Sequence, residues 1–266
     1  MTISQHTSET TWTRALLNKV PEVTVLFWIV KILSTTVGET AADFLNGNLG
    51  LGLSATTAIM ALLLSAVLIA QFTLRKYTPS VYWLVVVLVS VVGTLFSDNL
   101  VDNFGVSLFT TSTIFAVGLA ASFFGWYRSE RTLSIHSIVT RRRETFYWLT
   151  ILFTFALGTS AGDLVAEKLA FGYLPSAAMF GGVIALITIA HYRFELNAVF
   201  AFWAAYIVTR PFGASMGDFL TATHKAGGLG LGTNGTSILF LSIIVACVGY
   251  FTVAEKPKGK ELEPAV

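Results

Sequence analysis

Apolar stretches long enough to cross a bilayer follow one another along nearly the whole chain. They occupy residues 22–47, 52–74, 80–103, 107–127, 145–170, 173–193, 197–222 and 232–254, and predict eight transmembrane helices. The runs are continuous rather than alternating, which argues against a spanning β-barrel. Several odd-numbered runs are long, and their outer thirds contain glycines and acids. Such helices are expected to tilt, or to break near the glycines.

Polar residues punctuate these runs unevenly. Residues 1–20 have no apolar core and no A-x-A site, so they read as a soluble tail rather than a cleavable signal. Residues 255–266 form a second tail. Of the 17 Lys and Arg residues, 13 fall on one side of the predicted membrane: Arg14, Lys19, Arg75, Lys76, Arg128, Arg131, Arg141, Arg142, Arg143, Arg193, Lys256, Lys258 and Lys260. By the positive-inside rule both termini are expected in the cytoplasm. The basic loop 128–144 divides two four-span halves, 21–127 and 145–254.

Composition agrees with this picture. Hydrophobic residues make up 54% and charged residues 12%, with mean hydropathy +0.71. Too few polar side chains exist to cover a water-soluble globule. A formal charge of +2 leaves no surplus for nucleic-acid phosphates. The single cysteine, Cys247, excludes an intrachain disulfide and a thiolate metal cluster.

A repeat carries more information. Trp28, Gly38 and Asp43 recur as Trp83, Gly93, Asp98, as Trp148, Gly158, Asp163, and as Trp203, Gly213, Asp218. Each set follows W-x9-G-x4-D. Each repeat reads as a hairpin of a motif-bearing helix, a Gly-rich outer turn and a plainer apolar helix. Two spans per repeat make all four enter the membrane in the same sense, so the expected symmetry axis runs along the membrane normal. With these motifs, and with PEVTVLFWIVKILSTTVGETAAD from Pro21 to Asp43, the chain resembles a bacterial family of uncharacterised multi-pass membrane proteins. That family is built of four tandem two-span repeats, each with a hallmark tryptophan. The resemblance covers about 21–255 and implies the eight-helix all-α architecture, in a bacterial inner membrane; it implies little about function.

Seven acids fall in or near the outer ends of the motif helices: Glu39, Asp43, Asp98, Asp102, Asp163, Glu167 and Asp218. Facing lipid, each would cost roughly 2.5–3.5 kcal/mol or more at mid-bilayer. They are therefore expected to face a wet cavity, a counter-charge or a bound cation. Three pairs are spaced i,i+4, which stacks like charges on one helix face. Lys31, Lys168 and Arg210 are the available counter-charges, and protonation can neutralise part of the remainder. Oxygen ligands, with Thr40, Ser97, Asn99, Thr159, Ser160 and Ser215 nearby, suit Mg²⁺, Ca²⁺, Mn²⁺, Na⁺ or H⁺. His191 and His224 lie in loops of opposite sidedness, so zinc and copper are disfavoured. The competing reading makes the acids polar glue in the outer headgroup region.

The four glycines admit two readings, a helix break that opens carbonyls to an ion or plain small-residue packing. Pro211 is expected to kink its helix, and Arg210 to tether an acid or stand in for a cation. The tryptophans are expected as an interfacial belt, or as a packed ring at the inner mouth. No P-loop, H-E-x-x-H or G-x-S-x-G occurs, so an enzyme is not expected. No cofactor is implied. The leading expectation is a secondary transporter of a hard divalent cation, with Mn²⁺ efflux in exchange for protons favoured. A non-transporting scaffold or sensor and a proton-coupled transporter of a small organic solute are the alternatives. The lipid bilayer, a metal cation and protons are then its partners, with no nucleic acid.

Reporter fusions after Val266 and within 225–235 should report opposite sides of the membrane, the first cytoplasmic. The same side for both would contradict the charge argument.

Overall fold

The computed structural model describes residues 18–48 and 52–255. Most of the two soluble tails, and residues 49–51 of the first outer turn, lie outside the described residues. Eight long helices follow in order: α1 (Val25–Asn48), α2 (Leu53–Thr73), α3 (Pro79–Asp98), α4 (Leu108–Glu130), α5 (Arg141–Asp163), α6 (Tyr173–Phe194), α7 (Ala198–Thr221) and α8 (Thr233–Glu255). The described chain contains no strand. Seven of these helices are long and apolar enough to cross a membrane by length and composition. The other is α7, whose run is diluted by Arg210, Pro211 and Gly213. The chain is an all-α multi-pass membrane protein.

Helix starts follow local chemistry. Ser107, Thr140 and Asn197 each accept a hydrogen bond from a first-turn backbone N–H, capping α4, α5 and α7. The Thr140 cap starts α5 four residues earlier than hydropathy suggests, so Arg141–Arg143 are helical rather than loop. Arg143 then reaches back to Glu130 at 2.8 Å. Gly52, Gly172 and Gly232, directly before α2, α6 and α8, hold φ of 74°, 80° and 76°, a left-handed turn suited to glycine.

The motif helices form an inner ring. Helix α1 packs on α3, α3 on α5, α5 on α7, and α7 back on α1. The plain helices form an outer layer, yet each packs mainly on the motif helix of the following repeat: α2 on α3, α4 on α5, α6 on α7, and α8 on α1. Sequence repeat and packing unit are thus offset by one helix, and α8 closes the circle. Outer helices present Leu62, Ile69, Phe109, Phe124, Leu186 and Val245 outward, as a lipid-facing layer does.

The glycines decide how closely the inner helices approach. A Cβ added at Gly38 would strike Ser90, one at Gly93 would strike Phe155 and Ala156, one at Gly158 would strike Arg210, and one at Gly213 would strike Thr35. In every case the contact falls three residues before the next repeat's glycine, which is the four-fold relation seen atom by atom. All four glycines lie within unbroken α-helix, as does Pro211. Small-residue packing therefore explains them, and the expected break at glycine does not occur, because the neighbouring helix fills the space where a carbonyl would have to turn out. The helices loosen elsewhere: α3 and α5 widen into π-turns at Asn99–Asn103 and Leu164–Lys168, directly after their aspartates.

At the tryptophan end, here called inner, the ring is sealed by aromatics. Each Trp stands beside the aromatic residue preceding it and beside that of the previous repeat. Phe27 meets Trp28 and Trp83, Tyr82 meets Trp83 and Trp148, Tyr147 meets Trp148 and Trp203, and Phe202 meets Trp203 and Trp28. Centroid distances of 5.1–6.1 Å suit edge-on contacts. Trp83, Trp148 and Trp203 are buried and Trp28 half-buried. For Trp83, Trp148 and Trp203 the packed ring replaces the interfacial belt, because each of these indoles is buried against the motif helix of the previous repeat; Trp28 is partly exposed.

Gly93→Ala and Gly213→Ala should each cost about 1–3 kcal/mol of stability through forced separation of packed helices. Gly249→Ala, on α8 with nothing within 4 Å of the new methyl, should be neutral or gain up to about 1 kcal/mol. Thermal unfolding in detergent compares the three; equal effects would remove the close-approach account.

Candidate functional site

Because the motif helices share register, equivalent positions stack into layers about the ring axis. The outermost layer is Asp43, Asp98, Asp163 and Asp218. One turn inward come Glu39, Thr94, Thr159 and Ala214, and two turns inward Thr35, Ser90, Phe155 and Arg210. Three turns inward lie Lys31, Val86, Ile151 and Tyr206, above the aromatic seal.

The aspartate layer is a cavity of about 370 Å³ at the outer end of the ring. All seven predicted acids line it, from Glu39 to Asp218. The π-turns after Asp98 and Asp163 carry Asp102 and Glu167, the second acids of those repeats. Asn46, Tyr173 and Thr221 complete the polar wall, and Val101, Leu108 and Ala222 are the apolar contribution. The Tyr173 hydroxyl donates to Glu167 Oε1 at 3.5 Å.

Arg210 forms the floor. It sits half-way along α7, is fully buried, and reaches the ring axis. One terminal nitrogen, Nη2, donates to Glu39 Oε2 at 3.0 Å and to Thr159 Oγ1 at 2.6 Å, and also contacts the Thr94 hydroxyl. Nη1 donates to the Thr35 carbonyl at 3.2 Å. A single guanidinium thus touches all three other motif helices. Its partners Glu39, Thr94 and Thr159 hold the same repeat position, while the fourth member of that layer, Ala214, leaves the space open. The pair with Glu39 is both the expected tether and a contact to a neighbouring repeat.

Among the described residues, Glu39 alone of the seven acids forms an ion pair. Lys31 does not serve as their counter-charge. It lies two turns inward of Glu39, donating to the Tyr206 carbonyl at 3.0 Å and to Thr209 Oγ1 at 2.5 Å. Lys168 is exposed at the end of its π-turn. Pro211 packs against α5 beside Gly158 and Gly162. Of the hydroxyl and amide groups expected as ligands, only Thr159 joins the Arg210 network. Thr40 pairs with Ser237 at 2.7 Å, Asn99 faces Ser54 and Thr57 on α2, and Ser160 bonds its own helix. Thr40 and Asn99 thus face outer helices, so the helix register that stacks the acids turns these two away from the axis. His191 and His224 bond carbonyls of their own turns.

No three His, Cys, Asp or Glu side chains among the described residues converge closely enough to hold a bare ion. The acids are spread around the cavity wall. Thr94 is not among the residues expected from the sequence; the signal that marks it is its alignment with Glu39 and Thr159 in the repeat. Asn46 and Thr221 lie on α1 and α7, three residues after Asp43 and Asp218, and Tyr173 is the first residue of α6; the W-x9-G-x4-D motif ends before these positions.

A family model described as Repeat of Unknown Function (DUF347) matches four times in tandem, at residues 26–77, 81–132, 146–197 and 201–257. Each match contains one motif helix and the plain helix that follows it. No curated protein and no solved structure matches the chain.

Replacing Arg210 by Met should strand the buried Glu39 carboxylate and cost about 3–5 kcal/mol of stability. Adding Glu39→Gln should recover most of the loss. Unfolding in detergent measures the cycle; a double variant no more stable than Arg210→Met alone would show that the two side chains do not depend on each other.

Proposed function

Because the chain belongs to the DUF347 repeat family and its four repeats close one acidic cavity, we propose that it is a secondary transporter exchanging a hydrated inorganic cation for protons. The observation that carries this reading is the convergence of seven carboxylates from four helices on one cavity, against one buried guanidinium. A structural role is a poor account, since acids kept for cohesion find partners, and only Glu39 has an ionic one among the described residues.

Cavity chemistry favours an inorganic cation over an organic solute. Organic ligand sites are mostly apolar, whereas this wall offers only Val101, Leu108, Ala222 and the Tyr173 ring. The dispersed acids suit a cation that keeps its water. Six waters at about 30 Å³ each fill roughly half the cavity, and carboxylates at their distance then act on the hydration shell. All-oxygen surroundings favour Mg²⁺, Ca²⁺ or Mn²⁺ over soft metals, and Mn²⁺ remains the favoured cargo.

We place the protein in a bacterial plasma membrane; on the distribution of Lys and Arg, both termini are cytoplasmic and the cavity faces outward. The aromatic seal then closes the cytoplasmic end, giving one of the two states that alternating access requires. In this state an exporter releases its cation and takes up protons on the vacated carboxylates.

Proteoliposomes carrying a pH gradient, tested with Mn²⁺, Mg²⁺ and Ca²⁺ in turn, check the proposal. Asp98→Asn and Asp163→Asn should lower cation flux at least roughly tenfold, equivalent to about 1.4 kcal/mol. Stability should be unchanged or higher, because each removes one of several like charges. Full flux in both variants, or none with any cation in the native protein, would overturn the reading.

A further inference from the structure

Lys31 is a buried charge that the acidic cavity does not use. It projects from α1 across the axis of the inner ring. Its Nζ lies 5.2 Å from the ring centre of Phe155 on the opposite motif helix, and 4.4 Å from that of Tyr206 on α7. The side chain is fully buried, and among the described residues no carboxylate stands within ion-pair distance of it. A Tyr206 carbonyl and the Thr209 hydroxyl are its hydrogen-bond acceptors. Around this level α3 and α5 offer Val86, Ile151 and Phe155, and α7 offers Tyr206 and, one turn outward, Arg210. Helix α8 contains no Asp, Glu, Lys or Arg from Thr233 to Ala254. An amine so placed costs stability, and intramembrane ionisable groups of this kind serve ion or proton paths.

A second observation stands next to it. The Tyr206 hydroxyl is fully buried and has no hydrogen-bond partner among the described residues. A buried hydroxyl left unsatisfied is itself a cost, of about 1–3 kcal/mol. One turn further inward, the Tyr82 and Tyr147 hydroxyls bond each other at 2.5 Å inside the aromatic seal. Amine, orphan hydroxyl and tyrosine pair therefore succeed one another along the axis from the cavity floor to the inner end.

We propose that Lys31 and Tyr206 carry protons between the acidic cavity and the inner end, on a path separate from the one the cation takes. The Lys31 amine binds a proton arriving from the cavity side, its nitrogen lone pair forming the N–H bond. That bond breaks on release in one concerted relay, with water bridging the gaps on either side of the Tyr206 hydroxyl: the Tyr206 oxygen accepts a proton as its own passes on to the Tyr147 oxygen, the Tyr147 proton passes to the Tyr82 oxygen, and the Tyr82 proton passes to water at the inner end, so that every hydroxyl ends neutral. One proton moves and no electrons are transferred. This inference rests on the transporter reading for what the protons are exchanged against, but its own readout is proton movement.

The test uses purified full-length protein in liposomes with an entrapped pH dye, following proton movement down an imposed gradient with and without Mn²⁺, and Mn²⁺ flux in parallel. Lys31→Met keeps length and apolar packing and removes the amine; Tyr206→Phe removes only the orphan hydroxyl. Tyr206→Phe should melt at the same or a higher temperature than the native protein, so lost activity cannot be ascribed to damage. Both variants should reduce proton movement to the level of protein-free vesicles. Both should retain exchange of labelled for unlabelled Mn²⁺ at equal pH, which needs the cavity but no net proton transfer. Native proton movement in either variant would overturn the inference and leave the transporter reading standing; Mn²⁺ flux without proton movement in the native protein would overturn the inference and the proton exchange together, leaving cation transport alone. Absence of Mn²⁺ flux with Lys31-dependent proton movement intact would remove the metal reading and support the proton path.

Discussion

Everything in this fold depends on how closely four helices can approach one axis. Gly38, Gly93, Gly158 and Gly213 let each motif helix lie against the next with no Cβ between them. That contact brings the aspartates within one cavity on one side of the glycine level and the aromatic residues into one ring on the other. A wider ring would separate the acids from Arg210 and open the tryptophan layer. Since lipid supplies no hydrophobic drive for helix association, packing of this kind has to hold the ring together.

On this nearly symmetric frame, chemistry is distributed asymmetrically along the axis. The outer end is acidic and open, the inner end aromatic and closed. Between them, layers that are equivalent by register differ in content. One holds Glu39, two threonines and an alanine; the next holds Arg210 among Thr35, Ser90 and Phe155. A symmetric set of four arginines at the axis could not coexist in so small a space. A single arginine reaches three equivalent partners, and the fourth position of their layer is the small Ala214. Symmetry therefore builds the scaffold, and departures from it build the site.

The offset between repeat and packing unit follows from the same ring. A motif helix has two flanks occupied by its inner neighbours and one outer groove to fill. The plain helix of the preceding repeat fills that groove, and α8 does so for α1. First and last repeats therefore support each other, unlike the ends of an open solenoid, which need capping.

Much of this was legible in the residues. Eight helices, their limits to within a few positions, the four-fold repeat and the shared side of the acids all follow from hydropathy, length and the W-x9-G-x4-D spacing, because these are properties of single helices and of their common direction of insertion. The packing partner of each glycine, the burial of the tryptophans, the displacement of Lys31 from the acids and the recruitment of Thr94 were not legible. Each depends on which neighbouring helix faces a given flank and at what height, and i,i+4 spacing states the face of a helix without stating what stands opposite it. Sequence alone determined the elements and their orientation relative to one another, since the bilayer imposes both on any apolar run. The tertiary structure decided which charges meet, since that is settled by the close approach of helices whose contacts lie 50 or more residues apart in the chain.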